Sequence, residues 1–276
     1  MKTKLLLTTF ALMASSAVFA AQPKVVAHRG YWEIAGSAQN SLTSLAKADS
    51  VGCFASEFDI WMTPDGVIIV NHDPKINGVN IQNTPSQTVL KEKLANGETV
   101  PTLDSYYTEA QKHPNLRLVC ELKSHDSKAR EKECIKKMLE LAKTYGLEDR
   151  IDYITFSKNG FTEIIKRAPK GTPVYYLSGD YIPEQVKFEK GAGIDYAMKV
   201  MKQHPEWIQD CHDRGMLVNV WTVNEPEDIL WCINNGVDYI TTNFPELVAK
   251  MIAENPVPDQ PAKVEKKNKK AKKGKK

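Results

Sequence analysis

Short apolar runs along this chain alternate with longer stretches whose apolar positions recur at helical spacing. The runs predict strands at 24–28, 54–60, 67–71, 117–121, 151–156, 173–177, 194–199, 216–222 and 238–241. Amphipathic patterns between most of them predict helices at 41–51, 102–113, 127–145, 159–168, 183–190, 205–214, 225–235 and 245–253. The pair repeats about every thirty residues, as parallel βα units do. Asn40 and Asn159 read as helix-start residues, and Pro205 and Pro245 suit first helical turns. Thr63-Pro64-Asp65-Gly66 is turn chemistry, so 54–60 and 67–71 should pair directly, with no helix between them. Setting 67–71 aside leaves eight strands, the number of a closed (β/α)8 TIM barrel. Segment 74–101 breaks the rhythm and predicts a small loop-and-helix insertion after the second strand region. An open doubly wound sheet would need a topological switch and a Gly-rich phosphate loop, and neither is visible.

The two ends change the picture. Lys2 and Lys4, the apolar stretch Leu5 to Ala14, and the small residues of Val18-Phe19-Ala20 predict a secretory signal cleaved after Ala20. That apolar stretch is short for a membrane span of about twenty residues, and no other segment is a candidate, so an exported, periplasmic or secreted protein is expected. The predicted organisation is a signal at 1–20, one barrel domain at 21–255 and a Lys-rich, disordered tail at 256–276. Between Lys263 and Lys276 the charge is +8 and the signal adds +2, so the formal +3 of the whole chain leaves −7 for residues 21–262. The tail reads first as a solvated end; the sharper reading is weak attraction to anionic envelope polymers. No nucleic-acid partner is expected. Cys53, Cys120, Cys134, Cys211 and Cys232 are odd in number and lack CxxC spacing, so neither a disulfide framework nor a zinc site is expected.

The candidate chemistry sits at the downstream strand ends. His28-Arg29-Gly30 follows the first strand, Glu57 and Asp59 end the second, Asn71-His72-Asp73 follows the third, and Glu121 and Lys123 end the fourth. In a barrel these ends share the catalytic face, and residues two apart on a strand point the same way. Each fragment alone has an ordinary explanation: a solvated acidic strand end, a turn cap at His72, a core role for Trp221. The conjunction at one end of successive strands favours a site. Three converging carboxylates suit a hard cation, Mg2+ or Ca2+. His113, His125, His204 and His212 fall in helical or loop contexts, and Asp65, Asp126 and Asp195 read as turn or surface acids.

From Val25 to about Val248 the ordered set of motifs resembles the glycerophosphodiester phosphodiesterases. It comprises His28-Arg29-Gly30, Asn40, Glu57-x-Asp59, Thr63-x-Asp65-Gly66, Val70-x-His72-Asp73, Pro101-Thr102-Leu103, Glu121-x-Lys123, Val220-Trp221-Thr222-Val223 and Thr241-Thr242-x-x-Pro245. The resemblance implies a TIM barrel with His28 and His72 as general acid and base. It also implies a divalent metal on Glu57, Asp59 and Glu121, and phosphate on Arg29 and Lys123. The residues themselves suggest Trp221 as a wall for the substrate alcohol. Two departures stand out. Gln39 replaces the family's acid, which should weaken or alter metal preference, and Asn243 replaces an aspartate in a segment expected only to shape a loop. The rival functions are a phospholipase-type enzyme on intact lipid, disfavoured by a polar insertion (Lys75, Asn77, Asn80, Gln82, Asn83), and a binding protein without catalysis.

Overall fold

A computed structural model describes residues 22–256. The expected export signal, and all but the first residue of the expected Lys-rich tail, lie outside the described residues. The strands are β1 (Lys24–Ala27), β2 (Ala55–Met62), β3 (Ile68–Val70), β4 (Lys75–Ile76), β5 (Val79–Asn80), β6 (Arg117–Leu122), β7 (Ile151–Thr155), β8 (Val174–Tyr176), β9 (Gly193–Ala197), β10 (Leu217–Trp221) and β11 (Tyr239–Thr242). Eight of them form a parallel barrel that closes where β1 pairs with both β11 (Val26↔Thr241) and β2 (Ala27↔Ser56). β3 adds antiparallel to β2, with Ile60 opposite Val70, as the Thr63–Gly66 turn predicts.

Every residue of β2 is buried, because a barrel strand faces the helices on one side and the lumen on the other. Phe58, Ile60, Leu118 and Cys120 point outward into the main core beneath the helices. Val26, Ala55, Val119, Ile154, Tyr175 and Leu177 point inward and fill the lumen. All five cysteines are free and buried. No described helix is long and apolar enough to cross a membrane.

Three local expectations are corrected. The strand read at 194–199 ends at Ala197, and Met198–Gln203 is helical; its apolar Met198 and Met201 are buried at helical spacing. Ser41 and Ser157, rather than Asn40 and Asn159, cap their helices, each hydroxyl accepting from the backbone N–H three residues on. The insertion is also less polar than its sequence suggests. It holds the β4–β5 hairpin and a core of its own, made by Trp61, Ile69, Ile76, Ile81, Val89 and Val100, and Gln82 is buried within it.

Candidate active site

The turn after β1 is built so that its side chains face the barrel mouth. His28 N–H donates to the Thr242 carbonyl at 2.9 Å, continuing the β1–β11 ladder by one rung. Arg29 then takes a left-handed conformation (φ 58°), which turns its backbone N–H onto Glu57 Oε2 at 2.7 Å. Gly30 must be glycine: its φ is 75°, and a Cβ there would lie 2.3 Å from Ser44 Oγ.

Glu57, Asp59 and Glu121 converge from β2 and β6, where Asp59 and Glu121 are register partners. One carboxylate oxygen from each lies within 4.8 Å of the others, and all three residues are buried. Asn40 grips Asp59 from both sides: its Nδ2 donates to Asp59 Oδ2 at 2.8 Å, and its Oδ1 accepts from Asp59 N–H at 3.1 Å. The Lys123 ammonium bridges Asp59 Oδ1 (2.8 Å) and Glu121 Oε1 (2.7 Å). Arg29 reaches Gln39 Oε1 at 2.6 Å and stands 3.9 Å from Asp59.

Crowding without enough countercharge sets the protonation of this cluster. Burial first, then the neighbouring carboxylates, pushes Glu57 well above the usual range and Glu121 up to about 8. Burial also works against ionising Asp59, but Lys123, His72 and the Asn40 hydrogen bond outweigh it and hold that carboxyl low. The donor set is all oxygen and carries excess protons or negative charge, which fits a hard divalent cation.

His28 and His72 line one cavity of about 140 Å3 together with Arg29, Glu57, Glu121, Lys123 and Trp221. His28 Nδ1 is 2.7 Å from Asn243 Oδ1, which corrects the expectation that Asn243 only shapes a loop. An amide oxygen can only accept, so Nδ1 carries the proton and Nε2 keeps its lone pair. Burial, then Arg29, pushes His28 down to about 4. His72 is also lowered by burial, but Asp59 and a 2.7 Å contact to the Asp73 carboxylate oppose the shift. Trp61 Nε1 donates to the His72 carbonyl at 3.0 Å, so the insertion core holds this histidine in place.

Trp221 stands half-buried in the cavity wall, edge-on to Phe156 at 5.6 Å, its indole N–H donating to the Asp195 carbonyl at 2.9 Å. Asp195 is not a surface acid, as the sequence suggested. It is 2 % exposed, projects into the barrel and lines the same cavity. Its place between apolar Ile194 and Tyr196 was the available signal, since an acid centred in an apolar strand run is buried whichever face it takes. The other four histidines do not line this cavity. His125 is structural: Nδ1 donates to the Lys123 carbonyl at 2.8 Å and Nε2 accepts from Met62 N–H at 3.1 Å.

At the mouth of a (β/α)8 barrel such a grouping does phosphoryl chemistry, and the class it defines is the barrel phosphodiesterases. The chain matches the model of the Glycerophosphoryl diester phosphodiesterase family over residues 28–247 and belongs to that family. A glycerophosphodiester phosphodiesterase structure from Parabacteroides distasonis is 42% identical, with a TM-score of 0.83 over 84% of this chain and 98% of that one. The glycerophosphodiester phosphodiesterase of Caldanaerobacter subterraneus is 26% identical over 83% of this chain and 97% of its own length. An Oleispira antarctica phosphodiesterase, solved in complex with the product sn-glycerol-3-phosphate, shares the fold at 22% identity, with a TM-score of 0.74 over 84% of this chain and 97% of that one. The activity is that of a glycerophosphodiester phosphodiesterase.

Proposed function

We propose that this enzyme hydrolyses soluble glycerophosphodiesters, such as glycerophosphocholine or glycerophosphoethanolamine, to glycerol 3-phosphate and an alcohol by two-histidine acid–base catalysis. The observation that carries the reading is the single cavity shared by His28, His72, both cations, Glu57 and Glu121, with Asp59 tied to it through Lys123. The product held by the Oleispira antarctica relative supports the same outcome.

Glu57, Asp59 and Glu121 would hold the metal, Mg2+ or Ca2+. When bound, it neutralises the cluster and polarises the phosphate. The chain's own residues do the rest. Arg29 offers a planar fork to phosphate oxygens, and Lys123 adds a point charge as it leaves its carboxylate partners. His28, neutral with Nε2 free, takes the proton from the glycerol 2-hydroxyl, whose oxygen then attacks phosphorus. The bond from phosphorus to the alcohol oxygen breaks, and His72, the ring flanked by carboxylates, protonates the leaving oxygen. A cyclic phosphate results. Water then opens it, with His72 as base and His28 returning its proton to the 2-oxygen. Intramolecular attack can reach an effective molarity of about 10⁵ M or more, which favours this route over direct attack by water.

The test is turnover of glycerophosphocholine, of its analogue lacking the 2-hydroxyl, and of intact phosphatidylcholine, with metal and after chelation. The proposal expects turnover of the first alone, and only with metal. Equal rates on the first two would replace the cyclic route with direct water attack. Faster cleavage of intact lipid would make the protein a phospholipase.

A further inference from the structure

We propose that Asp195 is a specificity-determining residue that accepts a hydrogen bond from the terminal hydroxyl of the glycerol arm and thereby selects unacylated glycerol phosphodiesters. The inference rests on the reaction proposed above and deepens it.

Three observations converge on this residue. Asp195 sits in the middle of β9, 2 % exposed, and its Oδ1 has no hydrogen-bond partner in the protein. A buried carboxyl oxygen without a donor opposes folding, so its retention needs another reason. Burial pushes this carboxyl up to about 7, opposed only by a side-chain hydrogen bond from Asn219, which leaves Oδ1 unpartnered, and no cation is placed against it. It is therefore not half of a structural ion pair. Second, Asp195 lines the same 140 Å3 cavity as the two histidines. Its backbone carbonyl holds the Trp221 indole, so the cavity's aromatic wall and its acidic floor are one unit. Carbon walls from Phe156, Leu177 and Trp221 with one acceptor below suit a three-carbon polyol, whose C–H faces pack while one hydroxyl donates.

The third observation is the division of space around His72. On its other side lies an open groove of about 680 Å3, bordered by Asn71, Asp73, Lys75 and Asn77. A substrate class with one constant arm and variable head groups fits this division. The constant glycerol arm enters the small closed cavity, and the variable alcohol lies in the open groove beside its proton donor. In an acylated lipid the terminal hydroxyl is an ester and offers no hydrogen to Asp195. Below Asp195 the barrel leaves only about 10 Å3 between Tyr175 and Tyr239, no more than one water, so an acyl chain has nowhere to continue.

The experiment compares ligands with and without that hydroxyl in wild type, Asp195→Asn and Asp195→Val. Calorimetry would compare sn-glycerol 3-phosphate with propane-1,2-diol 1-phosphate. Kinetics would compare glycerophosphocholine with its deoxy analogue and with lysophosphatidylcholine. Wild type should prefer the hydroxyl-bearing ligand by about 10- to 100-fold, as a hydrogen bond to a charged group allows. Asp195→Val should erase the preference by weakening only the hydroxyl-bearing ligand, and Asp195→Asn should keep part of it. The same preference in Asp195→Val, or none in wild type, would overturn the proposal. So would a changed ethanolamine-to-glycerol head-group ratio with the terminal-hydroxyl preference intact, since Asp195 would then face the leaving alcohol. If Asp195→Val fails to fold, the wild-type and Asp195→Asn comparisons decide. If wild type does not turn over glycerophosphocholine, the proposed function fails, while the calorimetry still reads Asp195.

Discussion

His28 and His72 line one cavity from unlike surroundings, and substitution should expose the difference. His28→Ala and His72→Ala should each cost about 10² to 10⁴ in turnover with metal affinity nearly intact, since a positioned acid or base contributes that much; near-normal turnover in His72→Ala would reduce it to a turn cap. Asn243 faces His28 with a neutral oxygen. Asn243→Asp should raise the His28 pKa from about 4, so more of the base is protonated at a given pH and the acid limb of the kcat/KM profile moves to higher pH. An unmoved limb would mean that His28 is not the group titrating there. Asp195 should show in stability. Its carboxyl is raised to about 7 in the folded state, against about 3.9 in an unfolded chain. Between those values the folded protein binds more protons than the unfolded one, so its stability declines as pH rises and levels off above about 7. Asp195→Asn should lose that part of the decline, and its melting temperature relative to wild type should be higher at pH 8 than at pH 4.

At the scale of elements, the insertion is a support for His72. Trp61 belongs to β2, packs with Ile69, Ile76, Ile81, Val89 and Val100, and bonds the His72 carbonyl. Trp61→Phe should keep most of the packing and lose one hydrogen bond, about 1 kcal/mol, lowering kcat more than it raises KM. Equal loss in both would mean that the loop shapes binding alone. Ile81→Ala should cost about 2–5 kcal/mol of stability from the small core. The turn after β1 has less freedom still. Gly30→Ala combines a left-handed φ with a Cβ buried in Ser44, so expression of folded protein should fall sharply.

At the scale of the whole molecule, a metal on the carboxylate cluster would be coupled to protons and to folding. Burial chiefly raises both Glu57 and Glu121, the latter to about 8, so a dication bound there would displace protons. Metal binding should release protons, seen by calorimetry in two buffers of different ionisation enthalpy; identical apparent enthalpies would sink the coupling. Chelation should abolish activity, with Mg2+ or Ca2+ restoring it better than Zn2+. The Lys-rich end, outside the described residues, belongs to this scale by its charge alone. A chain ending at Ala262 should turn over soluble substrate as the full chain does, and lose salt-sensitive retention on anionic surfaces.

Much of this was legible in the sequence because it depends on local pattern. Apolar runs spaced by helical periodicity determine the βα alternation, and period-two alternation places Glu57 with Asp59 and Glu121 with Lys123 on one face. The Thr63–Gly66 turn determines the β3 hairpin. What tertiary structure decided are contacts between residues far apart in the chain. Barrel closure brings Asn243 to His28 across 215 positions and Asn40 to Asp59 across 19, and neither pairing leaves a mark in local periodicity. Asp195 was misread for the same reason: a strand shows that alternate residues face apart, while only the closed barrel shows that its inward face is the floor of the cavity that His28 and His72 line.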